Sequence, residues 1–198
     1  MTVTVFLVRH AAHDRLGKVL CGRMPGVTLG EPGLAEADAL AARLGPEPIR
    51  AVYSSPLERT LQTARPIASA LGLQVQAADA LLELDFGDWT GAQFAVLQDD
   101  PRWPVWNAER ATARPPGGES MGEVQGRLSG WLDEIAGRHA GETVVAVTHG
   151  DVIKAALADA LGLSLDHHDR FEVSPASISV LVAGDWGKKV WSVNEAVR

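Results

Sequence analysis

The feature that most constrains this chain is a set of short, continuously apolar, β-branched-rich runs at residues 3–8, 51–53, 143–147 and 178–182. A strand with one wet face alternates apolar and polar residues, whereas a strand buried on both faces need not. Between the runs lie alanine- and leucine-rich segments with helical spacing, at 34–44, 57–71 and 152–161. A further helix is expected to start after Ser120. There Ser120-Met121-Gly122-Glu123 has the form of a capping box, and Val124, Leu128, Trp131, Leu132 and Ile135 follow on one face. Strands alternating with helices predict an α/β fold, three α/β/α layers around a mostly parallel central sheet. One domain over 1–198 is expected. An irregular cap insertion is expected at about 90–118, where Trp103, Trp106 and an Arg-Pro-Pro-Gly-Gly run fall.

Composition narrows the function classes. Lys+Arg number 18 against 25 Asp+Glu, a formal net charge of -7. Without a basic excess, nucleic-acid binding is not expected. A single cysteine, Cys21, excludes an internal disulfide and any multi-cysteine metal site. A reducing compartment, and so a cytoplasmic location, is the expectation. The longest apolar stretches fall short of the roughly 20 residues of a membrane span. Arg9 and His10 interrupt the first run where a secretory signal would stay apolar.

The residues directly after each run are more informative. Residues 3–8 lead into Arg9-His10, and 51–53 into Ser54-Ser55-Pro56 with Arg59 one turn on. Residues 143–147 lead into Thr148-His149-Gly150. Open α/β sheets bind ligands at the carboxyl ends of their strands, so parallel neighbours would bring two arginines and two histidines into one small volume. Singly, each residue reads as a surface or structural feature; together they read as a site. Such a cluster repels itself unless an anion fills it, and a phosphate monoester suits two guanidinium forks. The same charges disfavour a protonated imidazole, so His10 is expected neutral, with a lone pair free to attack phosphorus.

Departure of the alkoxide calls for a proton donor. Glu83 lies in Leu-Leu-Glu-Leu-Asp-Phe-Gly-Asp-Trp, whose apolar residues would raise a carboxyl pKa. Asp85 and Asp88 are rivals that residue type and spacing do not separate from it.

These residues also match a family. Leu7-Val8-Arg9-His10 resembles the first signature of the histidine phosphatase superfamily, which includes the cofactor-dependent phosphoglycerate mutases. Residues 54–64, from Ser54 to Ala64, resemble its second signature, and 82–91 its acid-bearing loop. Pro116-Gly117-Gly118-Glu119-Ser120 resembles the turn opening its later helix, and Thr148-His149-Gly150 its last signature. Five matches in family order imply a phosphoglycerate mutase-like fold. They also imply that His10 becomes phosphohistidine while Arg9, Arg59 and His149 hold the phosphoryl oxygens. The resemblance selects Glu83 as the acid. It implies no metal and no cofactor, since the arginines supply the charge. The expected partner is a small-molecule phosphate ester, with a homodimer left open.

Two stretches depart from the pattern. Ala11 stands where the family has glycine, a change alanine tolerates at negative φ. Ala12-His13 and Arg15-Leu16 replace a polar Glu-Ser and a Trp-Asn pair, so the asparagine that helps hold phosphate is missing. His13, Asp14 and Arg15 are candidates to replace it, and Arg23, in the next loop, is a candidate to face substrate.

The short 92–116 stretch favours hydrolysis over mutase-type transfer, since a mutase must close its pocket against water. A non-catalytic phospho-ligand module is the other alternative, with Ala11 its best argument. Gly118-Glu119-Ser120-Met121-Gly122 also fits a serine hydrolase pattern, but Arg-Pro-Pro-Gly-Gly before it cannot form the strand that motif requires. His167-His168 reads as a polar loop rather than a metal site. Trp103 and Trp106 are candidates to shield the leaving group.

Overall fold

The computed structural model describes residues 2–197. Its sheet has six strands: β1 (Thr2–Arg9), β2 (Ile49–Ser54), β3 (Val75–Ala77), β4 (Thr143–Thr148), β5 (Ser177–Gly184) and β6 (Gly187–Ala196). They lie in the order β3-β2-β4-β1-β5-β6. The first four in that order run parallel; β5 is antiparallel to β1, and β6 to β5. The four apolar runs are all strands, and all four are interior to the sheet. The other two strands carry no such run. β3 has three residues, and β6 alternates exposed and half-buried positions as a partly solvated edge strand does.

Among the described residues there are six α-helices: α1 (Glu31–Leu44), α2 (Glu58–Leu71), α3 (Phe94–Leu97), α4 (Arg102–Ala108), α5 (Met121–Arg138) and α6 (Gly150–Leu161), and α1, α2, α5 and α6 cover the two faces of the sheet. Alternate strand residues point to opposite faces, which makes three layers. Val5 and Leu7 join the core of α5 and α6, and Phe6 and Val8 join that of α1 and α2. The Ser120 capping box forms as the sequence predicts, with the Ser120 hydroxyl accepting from the Glu123 amide and the Glu123 carboxylate from the Ser120 amide.

The 90–118 stretch is not irregular throughout, since it contains α3 and α4. Their aromatic residues need a partner face, and Phe86 and Trp89 supply it. Trp103 and Trp106 stack at 5.2 Å, each edge-on to Trp89 at 5.4 and 5.8 Å. Both are buried and neither lines the cavity at the strand ends, so they are packing residues, not shields for a leaving group. No helix among the described residues is long and apolar enough to cross a membrane.

The topology brings the ends of three parallel strands together. Register pairs Arg9 with Thr148 and Ser54 with Val147, so β1, β4 and β2 end side by side. The backbone continues that alignment for one more residue. His10 N–H donates to the Thr148 carbonyl and Ser55 N–H to that of Val147, both at 2.9 Å.

Candidate active site

A cavity of about 440 Å³ opens at these strand ends, lined by Arg9, His10, His13, Arg59 and Glu83 among others. His10 is buried and its Nδ1 lies 2.9 Å from the Ala11 carbonyl, which can only accept. That bond puts the proton on Nδ1 and leaves the lone pair on Nε2. Burial, then the charge of Arg59, holds the His10 pKa well below the ordinary histidine value, so the ring is neutral.

His149 stands 5.3 Å from His10, ring centre to ring centre, with no exposed surface. Its Nδ1 accepts from Arg59 Nη2 at 3.1 Å, so its other nitrogen carries the proton and donates to Ser55 Oγ at 2.9 Å. Burial and the same arginine keep this ring neutral too.

Arg59 is only 2% exposed. One of its nitrogens donates to the Gly22 carbonyl and His149, while Nε and Nη1 are buried without a partner. Arg9 shows the same state. Its Nη1 donates to the Val173 carbonyl at 2.6 Å, and its Nε is buried and unpaired. Unpaired guanidinium donors in a buried site are costly, and a multi-oxygen anion in the cavity is what would satisfy them. A Cβ on Gly150 would lie 3.4 Å from the Arg9 guanidinium carbon, an ordinary contact distance, so the Arg9 guanidinium packs directly against the start of α6.

Glu83 is the only one of the three candidate acids that lines the cavity. Its Oε2 lies 3.9 Å from His149 Nδ1. Burial, then the charge of Asp151, pushes its pKa up to about 7, while Arg59 and Arg9 pull the other way. Asp85 instead accepts from the Gly87 amide, and Asp88 faces solvent.

A family model of the histidine phosphatase superfamily (branch 1) matches residues 5–196. The chain belongs to the histidine phosphatase superfamily. It is 36% identical over 184 residues to phosphoserine phosphatase 1 of Hydrogenobacter thermophilus, covering 90% of this chain and 86% of that protein. Among solved structures it resembles mycobacterial glucosyl-3-phosphoglycerate phosphatase, with a TM-score of 0.89, 26% identity, and 99% and 100% of the two chains covered. YhfR of Bacillus stearothermophilus gives a TM-score of 0.90 at 28% identity, covering 98% of each chain. This histidine phosphatase is thus a phosphoric monoester hydrolase that acts on small phosphorylated metabolites.

The two departures from the family pattern have a structural reading. In this phosphatase Ala11 does not take positive φ, and its amide donates to Thr63 Oγ1 at 3.0 Å. Its methyl is buried, and that amide is turned to Thr63. His13 stacks on His10 at 5.3 Å and lines the cavity, its Nδ1 buried and unpaired. Burial, then Arg59 and Arg9, lowers its pKa to about 4.

Arg23 is not brought into the cavity lining. It donates to the Glu83 carbonyl at 2.8 Å and to Glu119 at 2.8 Å, so it fastens the acid-bearing loop. Arg127 reinforces that loop, donating to the carbonyls of Ala80 and Leu82.

Several partners in the site escape a residue-by-residue reading of the sequence. Ser55 orients His149, the Gly22 carbonyl holds Arg59, and Asp151 acts on Glu83. Ser55 lies inside the second signature, which gives it no role of its own. Gly22 acts through its backbone, which no side-chain pattern reveals. For Asp151, its place two residues after His149 is the one signal the sequence offers.

Proposed function

We propose that the phosphatase works through a phosphohistidine on His10, with Arg9, Arg59, His149 and His13 around the phosphoryl group and Glu83 as the proton donor. The observation that carries this is a neutral His10, its lone pair on Nε2, sharing a cavity with guanidinium nitrogens that have no partner. Two arginines favour the dianion of a monoester, and they stabilise the charge spread over the transferring group.

In the first step His10 Nε2 forms a bond to phosphorus as the bond from phosphorus to the ester oxygen breaks. Glu83, holding a proton near neutral pH, gives it to that oxygen, and the alcohol leaves. In the second step the Glu83 carboxylate takes a proton from water while the water oxygen attacks phosphorus. The P–N bond breaks, the electron pair returns to Nε2 and inorganic phosphate departs. The guanidiniums supply the positive charge that divalent ions supply in other phosphoryl-transfer sites, so a chelator leaves turnover unchanged.

His149 reaches the phosphoryl oxygens from its Nδ1 edge, the edge that faces Arg59 and Glu83. A bound dianion draws the Arg59 N–H away and favours a proton on that nitrogen. His13 lines the cavity where the family's asparagine is missing. Phosphoserine and glucosyl-3-phosphoglycerate, in the names of two similar proteins, are phosphate monoesters of small polar alcohols, and we assign the substrate to that class.

The test is trapping. A radiolabelled phosphate ester is expected to leave an acid-labile, base-stable label on the wild type without added metal, and none on His10→Ala. Equal labelling of the two proteins would refute the assignment.

A further inference from the structure

Beyond the phosphate-binding groups, the cavity lining holds three more charged side chains, Asp151, Lys154 and Glu172. They differ in what they already do. Asp151 Oδ1 faces Arg110 Nη1 at 3.6 Å, and that guanidinium lies 3.4 Å over the Trp106 ring. Asp151 is therefore counterbalanced from within the fold. Lys154 stands three residues further along α6, half-buried, and no hydrogen bond or ion pair engages its ammonium among the described residues. Glu172 is exposed. The rest of the lining away from the arginines is largely apolar, with Leu16, Leu20 and Phe94.

We propose that Lys154 reads a carboxylate on the alcohol part of the substrate, making the preferred substrate a phosphate monoester of a small hydroxy acid. The proposal rests on the phosphatase reading above and names its substrate class. A half-buried ammonium with no counter-ion in the protein is a site for one supplied by the ligand. A carboxylate matches it better than a second phosphate does. Lysine offers a point charge rather than a planar fork. The apolar residues give the carbon skeleton a surface but no competing polar partner.

Phosphoserine and phosphoethanolamine provide the test, because both carry an ammonium and only the first carries a carboxylate. The wild type is expected to favour phosphoserine at least tenfold in kcat/KM, chiefly through KM, the scale of one charged hydrogen bond. In Lys154→Met, which keeps the apolar stem, the ratio is expected to fall to within about twofold. Lys154→Glu is expected to reverse it in favour of phosphoethanolamine. A ratio unchanged in Lys154→Met, or a wild type without preference, would overturn the proposal.

Binding separates this from the catalytic reading. In the His10→Ala background, calorimetric Kd values for the two esters should show the same tenfold preference, lost again in the Lys154→Met double variant. If wild type fails to hydrolyse p-nitrophenyl phosphate and every other ester, the catalytic reading falls. The Kd ratio still decides the role of Lys154.

Discussion

At the phosphate end of the cavity, Arg9, His10, Arg59 and His149 hang from the regular frame, while His13 and Glu83 come from loops. His10 and His149 follow the last residues of β1 and β4, and Arg59 stands in the first turn of α2. At the alcohol end, Leu16 and Leu20 come from the loop after β1, Phe94 from the insertion and Glu172 from the loop before β5. The first end is polar, buried and incompletely paired; the second is mostly apolar and open. A tetrahedral oxyanion needs donors fixed to fractions of an ångström, which rigid strand ends provide. The alcohol differs from ester to ester, so its walls belong on segments that can change without disturbing the sheet.

If that contrast holds, substitutions at the first end remove chemistry and those at the second retune affinity. His10→Ala is expected to lower kcat by roughly 10³ or more, measured with any ester the wild type hydrolyses. A loss of under tenfold would mean that another group attacks phosphorus.

Arg59→Met comes next, with kcat/KM down by roughly 10² to 10³. Its stability is the sharper readout, because the wild type buries a guanidinium with two unpaired nitrogens. Inorganic phosphate at about a hundred times Kd should stabilise the wild type by about 2.7 kcal/mol. Differential scanning calorimetry should show that gain as a raised Tm, and Arg59→Met should lose most of it. An undiminished phosphate-dependent rise in the variant would show that Arg59 does not bind the anion.

Glu83→Gln is expected to cost roughly 10² in kcat for alkyl phosphates and much less for p-nitrophenyl phosphate, whose leaving group needs little help from an acid. The wild-type rate on alkyl phosphates should fall as pH rises through about 7, the value to which burial and Asp151 push this carboxyl. Stability follows with the corresponding sign. The unfolded chain gives up this proton near pH 4.5, whereas the folded chain keeps it to about pH 7. Glu83 therefore makes folding less favourable as pH rises across that window. Urea unfolding across the window should show a flatter slope for Glu83→Gln, and an identical slope would reject the raised pKa.

The smallest effect belongs to the alcohol end. Phe94→Ala is expected to change KM by roughly two- to tenfold, depending on the ester, with kcat nearly constant. A collapse of kcat in steady-state assays would break the division between the ends.

Legibility in the sequence divides along the same line. The three strands that carry the site are visible because burial on both faces leaves continuous apolar runs, as at 143–147. The capping box places the start of α5 for a local reason, hydrogen bonds between Ser120 and Glu123. β6 is hidden because one edge strand half in water carries Lys188, Lys189, Ser192 and Glu195 among its apolar residues. The helices α3 and α4 are hidden because they are four and seven residues long and depend on Phe86 and Trp89 for a face to bury. Arg23 shows the limit for single residues. A cation in the loop after the first signature suggests a substrate contact, yet its donors go to Glu119 and the backbone of Glu83.

The sequence by itself determined the layered frame and the chemical inventory at the strand ends, because both depend on local order: which residues are apolar, and which ones come directly after them. The tertiary structure decided which acid is buried against the anion site, which nitrogen of His10 carries its proton, and which cation is left without a partner. Those properties come from desolvation and hydrogen bonds between residues far apart in the chain, such as Arg59 and His149 or Glu83 and Asp151, and only the folded arrangement sets their distances.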